Sequence, residues 1–569
     1  MVISVKIKMF IMTIQIKSTR MKFNLLFIGL LFSLTTLSFA QPAPKDWQHR
    51  SPSEGYPGVS TNQLYDRIPA GVIPDTVIVA VIDGGVDPQH EDLKNVMWIN
   101  KDEIPGNNID DDKNGYVDDI YGWNFIGNAK GENVHYDNLE VARLYAKYRD
   151  RFKDVDPGEL KKKEKAEYDF YQKIKEEVEE GRAQFEQNFQ LYSVLKDALD
   201  KIKEDFKDKE EITADDLRDY ETDDMRIMQI AQIIAAQMAE GSTFEAFAKE
   251  IEGGYDYLKE RYEYNYNPDF DGRTKVDDNY ANKTERYYGN NDVKGPDAFH
   301  GTHVAGIIGA ERNNDIGMDG IAGPVKIMAI RTVPAGDERD KDVANAIYYA
   351  VDNGASVINM SFGKGYSPYK EVVDKAVKYA AKNDVLLVHA AGNDGQQVNS
   401  MNNFPTDKYA KRGLFGPKHA PNWIEVGAAN WEGSENLAAS FSNYSPEYVD
   451  VFAPGTAIYS TAPDNEYKDS QGTSMAAPVV AGVAATLRAY FPDLTAEQVK
   501  EIISTSTDQP STQMVIKPGT DEKVPFSELS VSGGVINLEK AVENAIQTKG
   551  KKRKAAKRAM KQLKPNPKA

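Results

Sequence analysis

Apolar residues recur along this chain with three different patterns. Residues 76–82 are almost wholly apolar and β-branched, and they run into Asp83-Gly84-Gly85. Segments 326–330, 357–360 and 385–388 share that character. Short unbroken apolar runs that end in turn residues predict strands buried on both faces, as in a parallel sheet. After His300 the spacing changes to Val304, Ala305, Ile307 and Ile308, and after Ser474 residues 476–490 are rich in Ala, Val and Leu. Both stretches predict helices. Strands alternating with helices imply an α/β fold, with chemistry gathered at the carboxyl ends of the strands, where Asp83 stands. The third pattern covers residues 133–287, which are dense in Lys, Glu, Asp and Tyr. Phe185, Phe189, Leu191, Leu195 and Leu199 form one apolar stripe, and Met228, Ile230, Ile233, Ile234 and Met238 another. These predict amphipathic helices in a small helical subdomain, with the aromatic stretch 255–266 closing onto the rest of the protein.

The candidate chemistry lies where the strand and helix patterns meet turns. Four segments supply four parts: Asp83 a carboxylate, His300 an imidazole, Asn393 in Ala390-Ala391-Gly392-Asn393 an amide, and Ser474 in Gly472-Thr473-Ser474 a hydroxyl. A serine hydroxyl is a poor nucleophile until a base takes its proton. An imidazole titrates in the right range, and a carboxylate behind it fixes the tautomer. An amide N–H can hold the oxyanion that attack on a carbonyl creates. Gly472 lets the backbone turn tightly before the Ser474 helix, and Pro478 is expected in that helix's first turn, where a missing N–H costs little. Taken singly, each motif reads equally as an ordinary turn. His300 and His303 could also be a metal pair, but that needs further ligands, and no His-Glu-x-x-His is present.

The order Asp, His, Ser with these flanks resembles the subtilisin-like serine proteases, or subtilases, over about residues 70–132 and 288–545. The resemblance implies a three-layer α/β fold, a mainly parallel twisted sheet flanked by helices, carrying the helical subdomain as an insertion. It implies Asp83 as orienting acid, His300 as base, Ser474 as nucleophile and Asn393 as oxyanion donor, with His303 a structural histidine. It also implies that Ser361, Phe362 and Gly363 pair with a polypeptide substrate's backbone. The segment around Gly336-Asp337-Glu338-Arg339 would be the facing edge. Ala391 and Gly392, with Ala390 and the stretch near Asn403-Phe404-Pro405, would shape the first specificity pocket. Broad endopeptidase action is the default expectation.

A family of this kind needs only a few tens of residues between its Asp and His, yet Asp83 and His300 stand 217 residues apart. The insertion at 133–287 reads as a solvated decoration, as a lid or exosite beside the cleft, or as an internal substitute for a folding segment. The full division is 1–40 upstream segment and signal peptide, 41–548 interrupted peptidase domain, and 549–569 basic tail.

Composition adds export and a need for stabilisation. The basic Met21-Lys22, the apolar stretch 23–37 and the closing Ser38-Phe39-Ala40 predict a secretory signal cleaved before Gln41, hence an extracellular or periplasmic protein. The apolar run is too short to predict a stable membrane span. A net charge of −18 argues against nucleic-acid partners. With no cysteine, the exported chain has no disulfide to stabilise it. Calcium is the expected substitute. Asp110, Asp112, Asn114 and Asp118 fall at ligand positions of a calcium loop, Gly115 at its sharp turn, and Tyr116 where a carbonyl ligand belongs. Tyr121 stands where the loop's last carboxylate would be, and Asp119 offers a replacement; the alternative is an acidic turn solvated by water. The family resemblance implies a second calcium site from Asp92 and Asn314, with carbonyls of Arg312, Ile316 and Met318. The tail, rich in Lys and Arg and without Asp or Glu, reads as a free solubilising segment or as a weak contact to an anionic surface.

Overall fold

The computed structural model describes residues 42–565 except 400, 412–415, 509–512 and 553–556. The signal-peptide segment and part of the basic tail therefore lie outside the described residues. The central element is a nine-stranded sheet. Its strands in chain order are β1 Val77–Asp83, β2 Gly122–Asn124, β3 Val325–Arg331, β4 Val357–Met360, β5 Leu386–Ala390, β6 Trp423–Ala429, β7 Val451–Pro454, β8 Thr507–Asp508 and β9 Val535–Ile536. Their spatial order is β8-β9-β7-β6-β5-β4-β1-β3-β2. Every pairing is parallel except β8 with β9. The chain leaves β3 on one side of β1 and re-enters the sheet as β4 on the other, so the carboxyl end of β1 is the topological switch point, the usual place for a site in an open α/β sheet.

In β1 six of seven residues are fully buried, and Val77–Asp83 is in register with Val325–Arg331. All of β5 and β6 is buried. Two apolar layers cover the faces. One is built around the helix Thr473–Tyr490, in which every residue but Ser474 is buried, with Phe299–Gly309 beside it. The other contains the helices Asp340–Asp352 and Lys370–Lys382. This is the expected three-layer α/β arrangement. Among the described residues no helix is long and apolar enough to cross a membrane.

Residues 140–265 are largely helical: Glu140–Phe152, a 44-residue helix Lys162–Asp205, Met225–Ala239, and Phe244–Lys259 continued by Glu260–Asn265. They enclose two small apolar cores of their own, one around Ile202, Ile234 and Ile251 and one around Leu144 and Ile174. The aromatic stretch does close onto the body, through Asn265, whose amide donates to the carbonyls of Asp137 and Ala335, both at 3.1 Å.

Two expectations fail. The described part of the tail is not free: Arg558 donates to Asp493 at 2.7 Å and to the Ala545 carbonyl at 3.0 Å, Lys552 pairs with Asp384 at 2.8 Å, and Met560 is 1% exposed in the main core. Apolar burial and complementary carboxylates outweigh the solvation of its cations. Pro478 lies in the interior of its helix, not in the first turn.

Candidate active site

Asp83 ends β1 and is 2% exposed. Its carboxylate accepts from His300 Nδ1, at 2.8 Å to Oδ1 and 3.0 Å to Oδ2, while the Gly84 N–H also donates to Oδ1 at 2.7 Å. His300 is the second residue of Phe299–Gly309. That helix is pinned by the hairpin Ile458–Ala462/Glu466–Ser470, whose Ser460 and Thr461 hydroxyls donate to the carbonyls of His303 and Thr302 at 2.8 and 2.7 Å. Gly301 is required there, because a Cβ at that position would fall 2.2 Å from the Gly85 carbonyl oxygen. Desolvation draws the His300 imidazole down, but the charge and hydrogen bond of Asp83 prevail and leave it above its ordinary 6.5. With Nδ1–H directed at Asp83, Nε2 carries the lone pair a base needs. His303 is instead a buried imidazole bonded to the Lys468 carbonyl at 3.0 Å and pushed down to about 4 by burial, which fits a structural residue.

Ser474 is the second residue of Thr473–Tyr490. Its hydroxyl donates to the Ser361 carbonyl at 3.1 Å, and the Ser361 hydroxyl donates back to the Ser474 carbonyl at 2.9 Å. Pro478 explains the return bond. It has no N–H to offer the carbonyl four residues earlier, so the Ser474 oxygen is left for Ser361. Asn393 lies against the same helix start: its Oδ1 accepts from the Thr473 N–H at 2.8 Å and the Thr473 hydroxyl at 3.0 Å. The same hydroxyl accepts from the Gly392 N–H at 3.1 Å. With Oδ1 so held, Nδ2 faces the front of the helix; a Cβ placed on Gly472 would lie 3.5 Å from both Asn393 Nδ2 and the Ser474 nitrogen. Asn393 Nδ2 and the Ser474 N–H thus lie near one another at a helix N-terminus, an end that favours negative charge. Asn443, which the sequence reading left without a role, braces this loop by donating to the Ala391 carbonyl at 2.9 Å and accepting from the Asp394 and Gln396 N–H groups.

A cavity of about 220 Å3 adjoins the pair, and Asp83, His300, Ser361, Phe362, His135 and Ala335 are among its lining residues. Gly363 is exposed, and Lys364 next to it exchanges main-chain hydrogen bonds with Phe404 at 3.0 and 2.9 Å. The facing edge differs from expectation. The Ala335 N–H donates to the His135 carbonyl at 2.8 Å, and the Ala335 carbonyl accepts from Asp137 at 3.1 Å, so the start of the insertion is hydrogen-bonded to this edge. Glu338 and Arg339 are buried rather than displayed to a substrate. Arg339 forks onto Asp137 at 2.7 and 2.9 Å, and Lys364, 1% exposed in its side chain, pairs with Glu140 at 3.0 Å and Asp340 at 2.9 Å. Burial works against the Glu140 carboxylate, yet Arg143 and Lys364 hold it down at about 2. The start of the insertion is therefore bound through buried charge to both segments expected to hold substrate.

The acidic loop brings together a ligand set that overlaps the expected one. Carboxylates of Glu103, Asp112 and Asp119 offer oxygens within 4.8 Å of one another. Glu103 lies upstream of the motif and was missed; it accepts from the N–H groups of Asp111 and Asp118 at 2.8 and 2.9 Å. Asp118 turns away to accept from Gly106 and Asn108 at 2.9 and 2.7 Å, because its left-handed backbone, φ 52°, redirects the side chain. Asp110 accepts from the Asn114 and Gly115 N–H groups at 3.0 and 2.9 Å, and the Asn114 side chain donates to Asp112 and Asp119. Tyr116 places its ring among Trp123, Phe125 and Tyr349. Burial raises Asp119 to about 6, and three crowded carboxylates of this kind fit a hard cation. Asp92 and Asn314 also meet, Nδ2 to Oδ1 at 2.7 Å, and Asp92 further accepts from the Met318 N–H at 3.1 Å.

Comparison with known proteins identifies the family. The model of the subtilase family matches residues 75–528. A thermophilic serine proteinase of Bacillus sp. (strain AK1) is 42% identical over 189 residues, covering 33% of this chain and 42% of that protein. Subtilisin E of Bacillus subtilis (strain 168) is 40% identical over 212 residues, covering 37% of this chain and 50% of that protein. The chain spans about half the length of the curated relatives it matches. Among solved structures, the prenylagaramide maturation protease PagA matches with a TM-score of 0.35 and 27% identity over 43% of this chain and 82% of that one.

Proposed function

The chain belongs to the subtilase family, and from that premise we propose that it is a serine endopeptidase acting through an acyl-enzyme on Ser474. The observation that carries the reading is the grip of Asp83 on His300 Nδ1 through both carboxylate oxygens, made between residues 217 apart. Structural ion pairs form as readily, but this one sits at the switch point, beside a helix-opening serine and a clamped asparagine amide.

The chemistry follows from the atoms. Rotation about the Ser474 Cα–Cβ bond takes Oγ from the Ser361 carbonyl toward His300, a motion fast on the scale of turnover. Oγ attacks the scissile carbonyl carbon as its proton passes to His300 Nε2, and Asp83 stabilises the imidazolium. The carbonyl electron pair becomes an oxyanion facing Asn393 Nδ2 and the Ser474 N–H. Collapse expels the amine, which takes the proton from His300, and water then releases the acyl group by the same route. Substrate backbone would run along Ser361–Gly363, with Ala391 and Gly392 across from it.

The same reading makes the protein exported, on the signal-like pattern of residues 23–37. It also makes the protein calcium-stabilised, with Glu103, Asp112 and Asp119 holding one ion and Asp92 and Asn314 contributing to a second. Residues 41–548 form the peptidase domain, interrupted at 133–287. A fluorophosphonate probe tests the core of this: stoichiometric labelling at Ser474, lost together with casein hydrolysis in Ser474→Ala, is expected. An unlabelled, correctly folded protein with no hydrolytic activity refutes it.

A further inference from the structure

The two walls that flank Ser474, Ser361–Gly363 and Ala390–Gly392, converge on one side chain, Asn403, which is 7% exposed. Its amide nitrogen donates to the Ala390 carbonyl and to Glu425 Oε1, both at 3.0 Å. Both partners accept, so the nitrogen must stand on that side and the carbonyl oxygen on the other. Asn403 Oδ1 occupies the room that glycine leaves at Gly363 and lies within contact distance of Gly392, where Asn443 Nδ2 fills the nearer space. A Cβ built on Gly363 would lie 2.4 Å from it, and one on Gly392 3.6 Å. Among the described residues no N–H or O–H donates to this oxygen.

Glu425, behind the amide, is itself buried and receives donors from three sides: His389 Nδ1 at 3.0 Å, Trp423 Nε1 at 2.9 Å and Asn403. Burial pushes its carboxyl above the ordinary value while the His389 and Trp423 donors work against that. With three donors and no acceptor facing it, the carboxylate is the form these contacts hold. Asp450, the next carboxylate, is already paired with Lys500 at 2.9 Å. The floor between the walls is therefore an acceptor oxygen in fixed orientation, backed by negative charge.

We propose that Asn403 Oδ1, backed by Glu425, forms the floor of the pocket for the side chain preceding the scissile bond and selects one ending in a cationic N–H donor, lysine or arginine, over an apolar one of equal length. This rests on the peptidase reading, because only attack at Ser474 places that side chain between these walls. One charge-assisted hydrogen bond to a preoriented acceptor gives a preference of about tenfold or more. The test uses fluorogenic peptides that differ only in carrying lysine, norleucine or glutamate before the cut, with kcat/KM measured for wild type, Asn403→Leu and Asn403→Met. Lysine should exceed norleucine by about tenfold, with glutamate lowest; the lysine-to-norleucine ratio should collapse in both variants, which fill the space without an acceptor oxygen. Should Asn403→Leu fail to fold by circular dichroism, the Asn403→Met ratio decides. A wild type that labels at Ser474 but cleaves norleucine at least as well, or a ratio unmoved by either substitution, overturns this inference alone. Absence of both cleavage and Ser474 labelling overturns the peptidase reading and this inference with it.

Discussion

Replacing Asn393 with Leu tests how the oxyanion donors are prepared. The Asn393 carbonyl oxygen is pinned by two Thr473 donors at 2.8 and 3.0 Å, so its Nδ2 is aimed before any substrate arrives. The proposed site has one other donor, the Ser474 N–H, and a Cβ built on Gly472 would lie 3.5 Å from both nitrogens. Removing one of two preorganised donors to a developing oxyanion costs about 2.7–4 kcal/mol, or roughly 10²–10³ in rate. The interaction strengthens only as charge develops, so kcat should fall by that factor while KM changes little. Thr473→Val keeps the backbone clamp but loses the hydroxyl that bridges the Gly392 N–H and Asn393; a loss of about 1 kcal/mol, near fivefold in kcat, follows, and Thr473→Ser should restore it. Steady-state kinetics on a peptide anilide, normalised by fluorophosphonate titration of active sites, provides the measurement. A kcat for Asn393→Leu within a few-fold of wild type, or a rise in KM with kcat intact, would show that this amide does not serve the transition state.

Four further outcomes follow from other contacts in the structure. The base must be neutral and Asp83 raises the His300 pKa, so kcat/KM should climb with pH about a midpoint above 6.5; in Asp83→Ala the larger desolvation effect is opposed only by the Asp297 charge, and the midpoint should move below 6.5 as kcat falls by roughly 10⁴. A pH profile whose acid limb stays in place contradicts the assignment. Calcium at one hundred times its dissociation constant should add about 2.7 kcal/mol to stability, read as a raised melting temperature that chelator removes and that Glu103→Gln or Asp119→Asn abolishes; melting curves insensitive to calcium would remove the ion from this loop. Lys364→Met leaves Glu140 and Asp340 short of a buried cation and should cost about 3–5 kcal/mol in denaturant unfolding. Because the Glu140 pKa is lowered from 4.5 to about 2, its share of stability is present above 4.5 and lost as pH falls toward 2, and an acid-unfolding curve unchanged in Glu140→Gln would count against it.

What the sequence discloses and what it hides divide along a physical line. β1, β3, β4 and β5 were legible because a strand buried on both faces has no choice but continuous apolar residues, and each expected segment falls within one or two residues of the observed strand. Asp83, His300, Ser474 and Asn393 were legible because each stands at or near the end of an element, within two residues of a glycine, and Gly301 and Gly472 answer a steric or backbone demand there. Ion pairs between distant segments leave no such local trace. Arg339 lies in the segment expected to face a substrate, yet Asp137 claims it from 202 positions away. Glu103 carried no motif, since its part in the acidic cluster depends on a turn folding back over it. Asn403 shows the same limit at the level of specificity. Its neighbours suggested a pocket, but only the partners of its two amide hydrogens fix which atom faces a substrate. The insertion follows the same rule. Its helices could be read from period alone, whereas their attachment could not: buried charge ties Glu140 and Asp137 to the segments that form the cleft. A lid that opens would have to break those pairs without water to replace them, a cost that argues for a permanent wall beside His300 rather than a moving one.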